Sequence, residues 1–175
     1  MGWLGIATPY PVKYKKQQVP MGAVMGAVLH TTNHTAGAES IARFQKDWNA
    51  KQAQSAHFVI DRSGQIGQCR MLSEVAWHIS GSSPHYVGIE HISKPGMPIT
   101  QAQIEASGTL LSVLSDSLGF PLTPFTSAGS SGVGIHVAFC ATNCGKSVFW
   151  QGSTRGGGQF SEILDFAQSY STLGY

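Results

Sequence analysis

Short apolar runs alternate with amphipathic ones along a single chain, and that order constrains the fold more than any other feature. Residues 23–30 (Ala-Val-Met-Gly-Ala-Val-Leu-His), 57–61 (His-Phe-Val-Ile-Asp) and 86–92 (Tyr-Val-Gly-Ile-Glu-His-Ile) have the length and apolar content of buried strands. Between and after them, Ile41, Phe44 and Trp48 recur at helical spacing, with Arg43, Lys46 and Asp47 on the other side. Thr100 is an N-cap candidate for a second helix striped by Ile104, Leu110, Leu111, Leu114 and Leu118, and Gly119 stands just past its end. Residues 160–170 give a third helix after the Gly156-Gly157-Gly158 spacer. Arg62-Ser63-Gly64-Gln65 is a tight turn from the 57–61 strand into residues 66–69, a hairpin signal. Residues 119–134, rich in Gly, Ser, Pro and Thr, make a long surface loop, and residues 133–139 return to the core. The expectation is an α/β fold, a central mixed sheet flanked by helices.

Composition narrows the class. At 175 residues the chain is one domain able to bury its own core. Hydrophobic residues make up 42%, too many for disorder. Charged residues make up 11%, against about 25% in average usage, so Ser, Thr, Gln, Asn and Gly must cover the surface. A formal charge of +2 with 11 Lys and Arg excludes a protein built to track nucleic-acid phosphates. Residues 1–21, with Pro9, Pro11 and Pro20, read as an irregular N-terminal arm, and residues 22–175 as the domain. The apolar run 21–29 follows Lys13, Lys15 and Lys16 as a signal peptide would. It is broken by Gly22 and Gly26, leads into His30, and falls short of the ~20 residues that span a membrane. A buried strand is the better reading, so we expect a protein made in the cytoplasm without a recognisable leader and without an integral membrane segment.

Three cysteines, Cys69, Cys140 and Cys144, are an odd number, which does not suit a disulfide framework and hints at a separate task for one thiol. Three small buried hydrophobes are the bland alternative. His30 closes a strand that opens into Thr31, Thr32 and Asn33, and His136 and Cys144 stand eight residues apart near a later strand end. Two imidazoles and a thiolate suit zinc, leaving a fourth position for water whose pKa falls to about 7. Spacing alone does not join His30 to His136.

A resemblance does. Ala27-Val28-Leu29-His30-Thr31-Thr32, Ser55-Ala56-His57-Phe58-Val59-Ile60-Asp61-Arg62-Ser63-Gly64, Ala76-Trp77-His78 and Val87-Gly88-Ile89-Glu90, followed by His136 and Cys144, stand in order and spacing. Together they resemble the zinc-dependent N-acetylmuramoyl-L-alanine amidases, the family of phage lysozyme-like amidases, muropeptide-recycling amidases and peptidoglycan recognition proteins. The likeness spans roughly residues 22–150. It implies that fold, a zinc cofactor, and hydrolysis of the amide between N-acetylmuramic acid and L-alanine in peptidoglycan.

Carried over residue by residue, the resemblance implies His30, His136 and Cys144 as metal ligands, with Cys140 the competitor for the third place. It implies Glu90 as the group that takes a proton from water and delivers it to the leaving amine. The competing reading turns Glu90 to solvent on an alternating strand. Thr142, two residues before the third ligand, would assist at the oxyanion with a hydroxyl but no charge. Trp77 and His78 would line the substrate groove, Trp77 with a flat apolar face and His78 with a hydrogen bond; core packing and an outer partner of the metal are their alternatives. His57 reads as structural. Where phage-type and recognition members carry Tyr before the second block's His, this chain has Ala56. A Glu-type strand beside a Cys-type metal site leaves the proton-transfer partners open.

Two other functions fit the same residues: a muropeptide-binding module that does not cut, and a zinc peptidase acting within the stem peptide. We expect a monomeric phage lysin or delivered antibacterial toxin that degrades the wall in the periplasm. For a toxin, an immunity or inhibitor protein and a delivery apparatus would be its partners.

Overall fold

The computed structural model describes residues 2–13, 24–32, 40–51, 54–79, 83–94, 97–142, 144, 149 and 158–172. Its strands, in chain order, are β1 (Thr8–Pro9), β2 (Gly26–Thr31), β3 (Phe58–Ile60), β4 (Ile66–Gln68), β5 (Tyr86–His91) and β6 (Gly132–Ile135). Across the single six-stranded sheet they run β1-β4-β3-β5-β2-β6. The β3–β4 hairpin is antiparallel and every other neighbouring pair is parallel. The mixed sheet and the helices around it follow the expected α/β architecture.

Both faces of the sheet are covered, which is why β2 is buried at all of its positions. On one face Ala27, Leu29, Val87, Ile89, Val133 and Ile135 join a core under α2 (Gln101–Leu118) and α3 (Gln159–Thr172). On the other, Val59 packs with Ile41, Phe44 and Trp48 of α1 (Ile41–Lys51). α2 starts where Thr100 predicts. Its hydroxyl accepts from the Gln103 N–H at 3.1 Å while the Gln103 side chain accepts from the Thr100 N–H at 3.0 Å. It ends at Gly119, whose φ of 76° is the left-handed cap expected of glycine. The hairpin turn is held by the Asp61 carboxylate, which accepts from the backbone N–H groups of Ser63 and Gln65.

Two expectations are corrected. The arm is not irregular throughout: Thr8–Pro9 pairs with β4, and the N–H groups of Tyr10 and Val12 extend the pairing to Gln68 and Cys69. The prolines obscured this, but an edge strand is where a sheet tolerates proline. Val12 is buried against the α1 side of the sheet. The boundary at 21/22 lies outside the described residues, as do Lys15, Lys16, Pro20, Asn33, His34, Gly156 and Gly157. The returning segment is a strand only over Gly132–Ile135; His136–Ala138 forms a 3-10 turn closed by the Phe139 N–H on the His136 carbonyl. Among the described residues no helix is long and apolar enough to cross a membrane.

Candidate metal centre and active site

Strand register builds the site. β2 and β5 run parallel with His30 opposite Glu90, so both side chains leave the same face side by side. β6 pairs on the far side of β2 and ends with Ile135 opposite Leu29, which brings His136 level with His30. The two imidazole rings stand 4.7 Å apart, centroid to centroid. The carboxyl ends of parallel strands are where open α/β sheets hold their ligands. Cys144 arrives from the loop beyond: its N–H donates to the Thr142 hydroxyl at 3.1 Å, and its thiol donates to the Thr31 carbonyl at 3.4 Å. One donor atom each from His30, His136 and Cys144 lie within 4.8 Å of one another.

The hydrogen bonds fix which nitrogens face inward. The Tyr86 carbonyl can only accept, so His78 donates to it through Nε2 at 2.9 Å. Nδ1 of the neutral His78 ring then accepts from Nε2–H of His30 at 3.0 Å. What remains on His30 is the Nδ1 lone pair, 3.5 Å from the Cys144 sulfur. On His136, Nε2 meets the Cys140 sulfur at 3.5 Å, while Nδ1 is buried with no hydrogen-bond partner among the described residues. A buried ring nitrogen left open is costly unless something outside the chain fills it. The orphaned Nδ1, the His30 lone pair and a thiol form a soft donor set that fits zinc. Cys140 is exposed and stands behind His136, outside the cluster.

Electrostatics follow from burial. Removal from water lowers the His30 pKa well below its ordinary value, with His78 and His136 adding to the effect, and takes His78 down to about 3. The Cys144 thiol is pushed up to about 12, by burial first and then by Glu90. Burial raises the Glu90 carboxyl to about 8. Its Oε1 lies 4.0 Å from His30 Nδ1 and its Oε2 is buried without a partner among the described residues. Glu90 therefore points into the site and not to solvent. A divalent cation among these groups would reverse the pattern, holding the thiol as thiolate and drawing the carboxyl back to its ionised form.

These groups open into a cavity of about 280 Å³. Trp77 forms part of its wall and is 42% exposed, an apolar plate beside a polar floor. His78 also lines it, with both ring nitrogens already engaged by the protein. Thr142 is absent from the lining, and its hydroxyl takes the Cys144 N–H. Sequence reasoning missed Trp48, Gln54, Ser55 and the Thr31–Thr32 pair, all of which line the cavity. Trp48 was legible only as a core residue of α1, and it serves both purposes. Ser55 stands inside the second block, where its hydroxyl accepts from the Trp77 N–H. His57 is structural: Nδ1 accepts from the Gly88 N–H at 3.0 Å and Nε2 donates to the Glu74 carbonyl at 2.9 Å. His91, which gave no signal, donates through Nδ1 to the His30 carbonyl at 2.9 Å and so pins the end of β2.

A family model described as N-acetylmuramoyl-L-alanine amidase matches residues 20–145. The chain belongs to that family. All of the residues that converge on the cavity, from His30 to Cys144, fall within the matched amidase segment. No curated protein matches the chain. Among solved structures, the chain is similar to the Staphylococcus aureus hydrolase AmiA in complex with its ligand. The TM-score is 0.71 at 12% identity, covering 95% of this chain and 83% of that one. It is similar to the N-acetylmuramoyl-L-alanine amidase LysC from Clostridium intestinale, with a TM-score of 0.61, 18% identity and coverage of 90% and 95%. It is also similar to peptidoglycan recognition protein-LE in complex with tracheal cytotoxin, at a TM-score of 0.65, 14% identity and coverage of 81% and 88%. At these identities the neighbours establish the amidase and recognition-protein fold.

Proposed function

We propose that this amidase-family chain is a zinc enzyme that hydrolyses the amide between the lactyl group of N-acetylmuramic acid and L-alanine of the stem peptide. The observation that carries the reading is the convergence of His30, His136 and Cys144 on one point, with a half-buried carboxyl group 4.0 Å from the first of them. His30 and His136 would hold zinc through Nδ1 and Cys144 through its sulfur. Zinc bound there supplies a Lewis acid for the scissile carbonyl and lowers the pKa of a nearby water. Glu90, through Oε1, takes the proton that water gives up during attack and returns it to the departing amine of L-alanine. Trp77 offers its plate to the sugar or the stem peptide. Thr142, whose hydroxyl accepts from the Cys144 N–H, would help to hold the third ligand in place.

A family member that only recognises muropeptides has no use for a complete ligand set beside a carboxylate with a raised pKa, so the enzyme reading is favoured over the binding module. Digestion of purified peptidoglycan, with the products identified by mass spectrometry, tests it. Wild type should release stem peptides beginning at L-alanine, and His30→Ala and Glu90→Ala should not. Cleavage inside the stem would move the enzyme to the peptidases, and intact peptidoglycan with bound muropeptide would make it a binding module. The same reading places its work at the wall, as a phage lysin or delivered toxin. Bacteria that carry the folded protein in the periplasm should lyse; intact cells with exported wild type would overturn that placement.

A further inference from the structure

His78 stands in the cavity wall yet has no ring nitrogen left for a substrate. One nitrogen donates to the Tyr86 carbonyl and the other accepts from His30. We propose that His78 is a positioning residue for the metal centre: it locks His30 in the Nε2–H tautomer and so turns the His30 Nδ1 lone pair toward Cys144 and His136. The inference rests on the zinc reading above and assigns a task to a residue otherwise placed in the substrate groove.

The chain of donors runs one way. A backbone carbonyl has lone pairs and no proton, so the proton at its end belongs to His78 Nε2. His78 Nδ1 must then accept, and His30 Nε2 must donate. With the reverse tautomer His30 would aim an N–H at the cluster, where no cation could be held. A ligating histidine characteristically donates its second nitrogen to an oriented partner, which makes the coordinating nitrogen more basic and fixes the ring plane. Here that partner is an imidazole, itself tied to backbone.

The seat for this ring is built into the sheet. A Cβ added at Gly88 would stand 2.5 Å from the His78 ring, so only glycine at that point of β5 leaves room for it. The backbone of Gly88 is held in turn by His57, which receives its N–H. The His30 and His78 rings meet edge to face at 83° with centroids 5.1 Å apart. Among the described residues His136 has no equivalent support: its outer nitrogen meets an exposed thiol at 3.5 Å.

Three forms of the full chain test the proposal: wild type, His78→Phe and His78→Gln. Gln can accept from His30 through its carbonyl oxygen and donate to Tyr86 through its amide, whereas Phe fills the seat and does neither. Zinc affinity, read by competition with a chromophoric chelator, should fall about 10- to 100-fold in His78→Phe and be largely restored in His78→Gln. Nitrogen-15 spectra of the imidazoles in metal-free wild type should find His30 protonated at Nε2 and bare at Nδ1, whether or not the Phe variant folds. Unchanged zinc affinity in His78→Phe, or Gln no better than Phe, would overturn the proposal. So would a rise in KM with zinc affinity intact, which returns His78 to substrate binding, or a His30 ring protonated at Nδ1. Wild type that takes up no zinc would instead sink the metal reading, and the nitrogen-15 result would still stand alone.

Discussion

The two halves of the centre are built by different means. His30 and Glu90 belong to neighbouring parallel strands whose register sets their spacing, and His30, at 1% exposure, is held from behind by His91 and from the side by His78. His136 and Cys144 come after the sheet ends. One sits in a 3-10 turn and the other in the loop beyond, tied by the Phe139 N–H to His136 and by Thr142 to Cys144. Sheet register is cooperative and needs no ligand to persist, because a slip would move every side chain of the strand to the other face. A turn and a loop outside the ladder of strand hydrogen bonds gain more from a cation that ties them to the strands. The strand half is therefore prepared for chemistry, and the loop half completes the cage.

The largest test of that contrast lies in the strand half. Glu90→Gln keeps the shape of the side chain and removes the carboxylate proposed to move the proton. We expect a rate loss of about 10²- to 10⁴-fold, the range for a general acid–base group, with zinc content unchanged. Turnover of muropeptide beside metal analysis of the same sample measures both. If zinc is lost as well, the strand half is not the preformed part.

The next test falls on the loop half and compares its two thiols. Cys144→Ser removes a donor from the cluster, and zinc affinity should drop beyond the ~100-fold that an outer partner costs. Cys140→Ser leaves the cluster intact and replaces an exposed sulfur behind His136 by a hydroxyl that can still accept. Its zinc affinity should stay within about tenfold of wild type. Chelator competition on the two variants decides it; equal losses would make Cys140 a ligand.

The same division governs what the sequence could reveal. Periodicity exposes β2, β5 and α2 because each is a continuous pattern, and Thr100 and Gly119 bound α2 because capping is local chemistry. It does not expose β1, two residues long and half proline, whose existence depends on β4 offering an edge. For the site, His30, Glu90, His136 and Cys144 were nameable through the blocks that resemble the amidases, yet no spacing rule joins positions more than a hundred residues apart. Trp48 escaped because a helix stripe looks the same whether its last aromatic faces core or cavity. His91 escaped, and His78 stayed open between the groove and an outer partner of the metal, because a hydrogen bond to a distant carbonyl leaves no mark in local sequence. The loop half, without strand periodicity, was the least legible part.

The smallest effect concerns acid, and it also separates the halves. His57, buried beneath the strand half, has its pKa lowered to about 4, chiefly by burial, against 6.5 in an unfolded chain. Because the unfolded chain takes up the proton first, the neutral ring contributes its full stability above pH 6.5. That contribution is lost as pH falls from 6.5 to about 4. The shift corresponds to at most about 3 kcal/mol, and within the window one proton alters the slope by up to about 1.4 kcal/mol per pH unit. Urea unfolding of the chelator-treated protein at a series of pH values should therefore give a steep loss for wild type. His57→Asn, less stable at neutral pH, should have a slope shallower by up to one proton. His136→Asn should change the slope less, since the half-buried His136 ring is already partly open to water and needs less of the fold to unfold before it can charge. Equal slopes for the two variants would mean that the loop half is as tightly enclosed as the strands, and the contrast between them would fall.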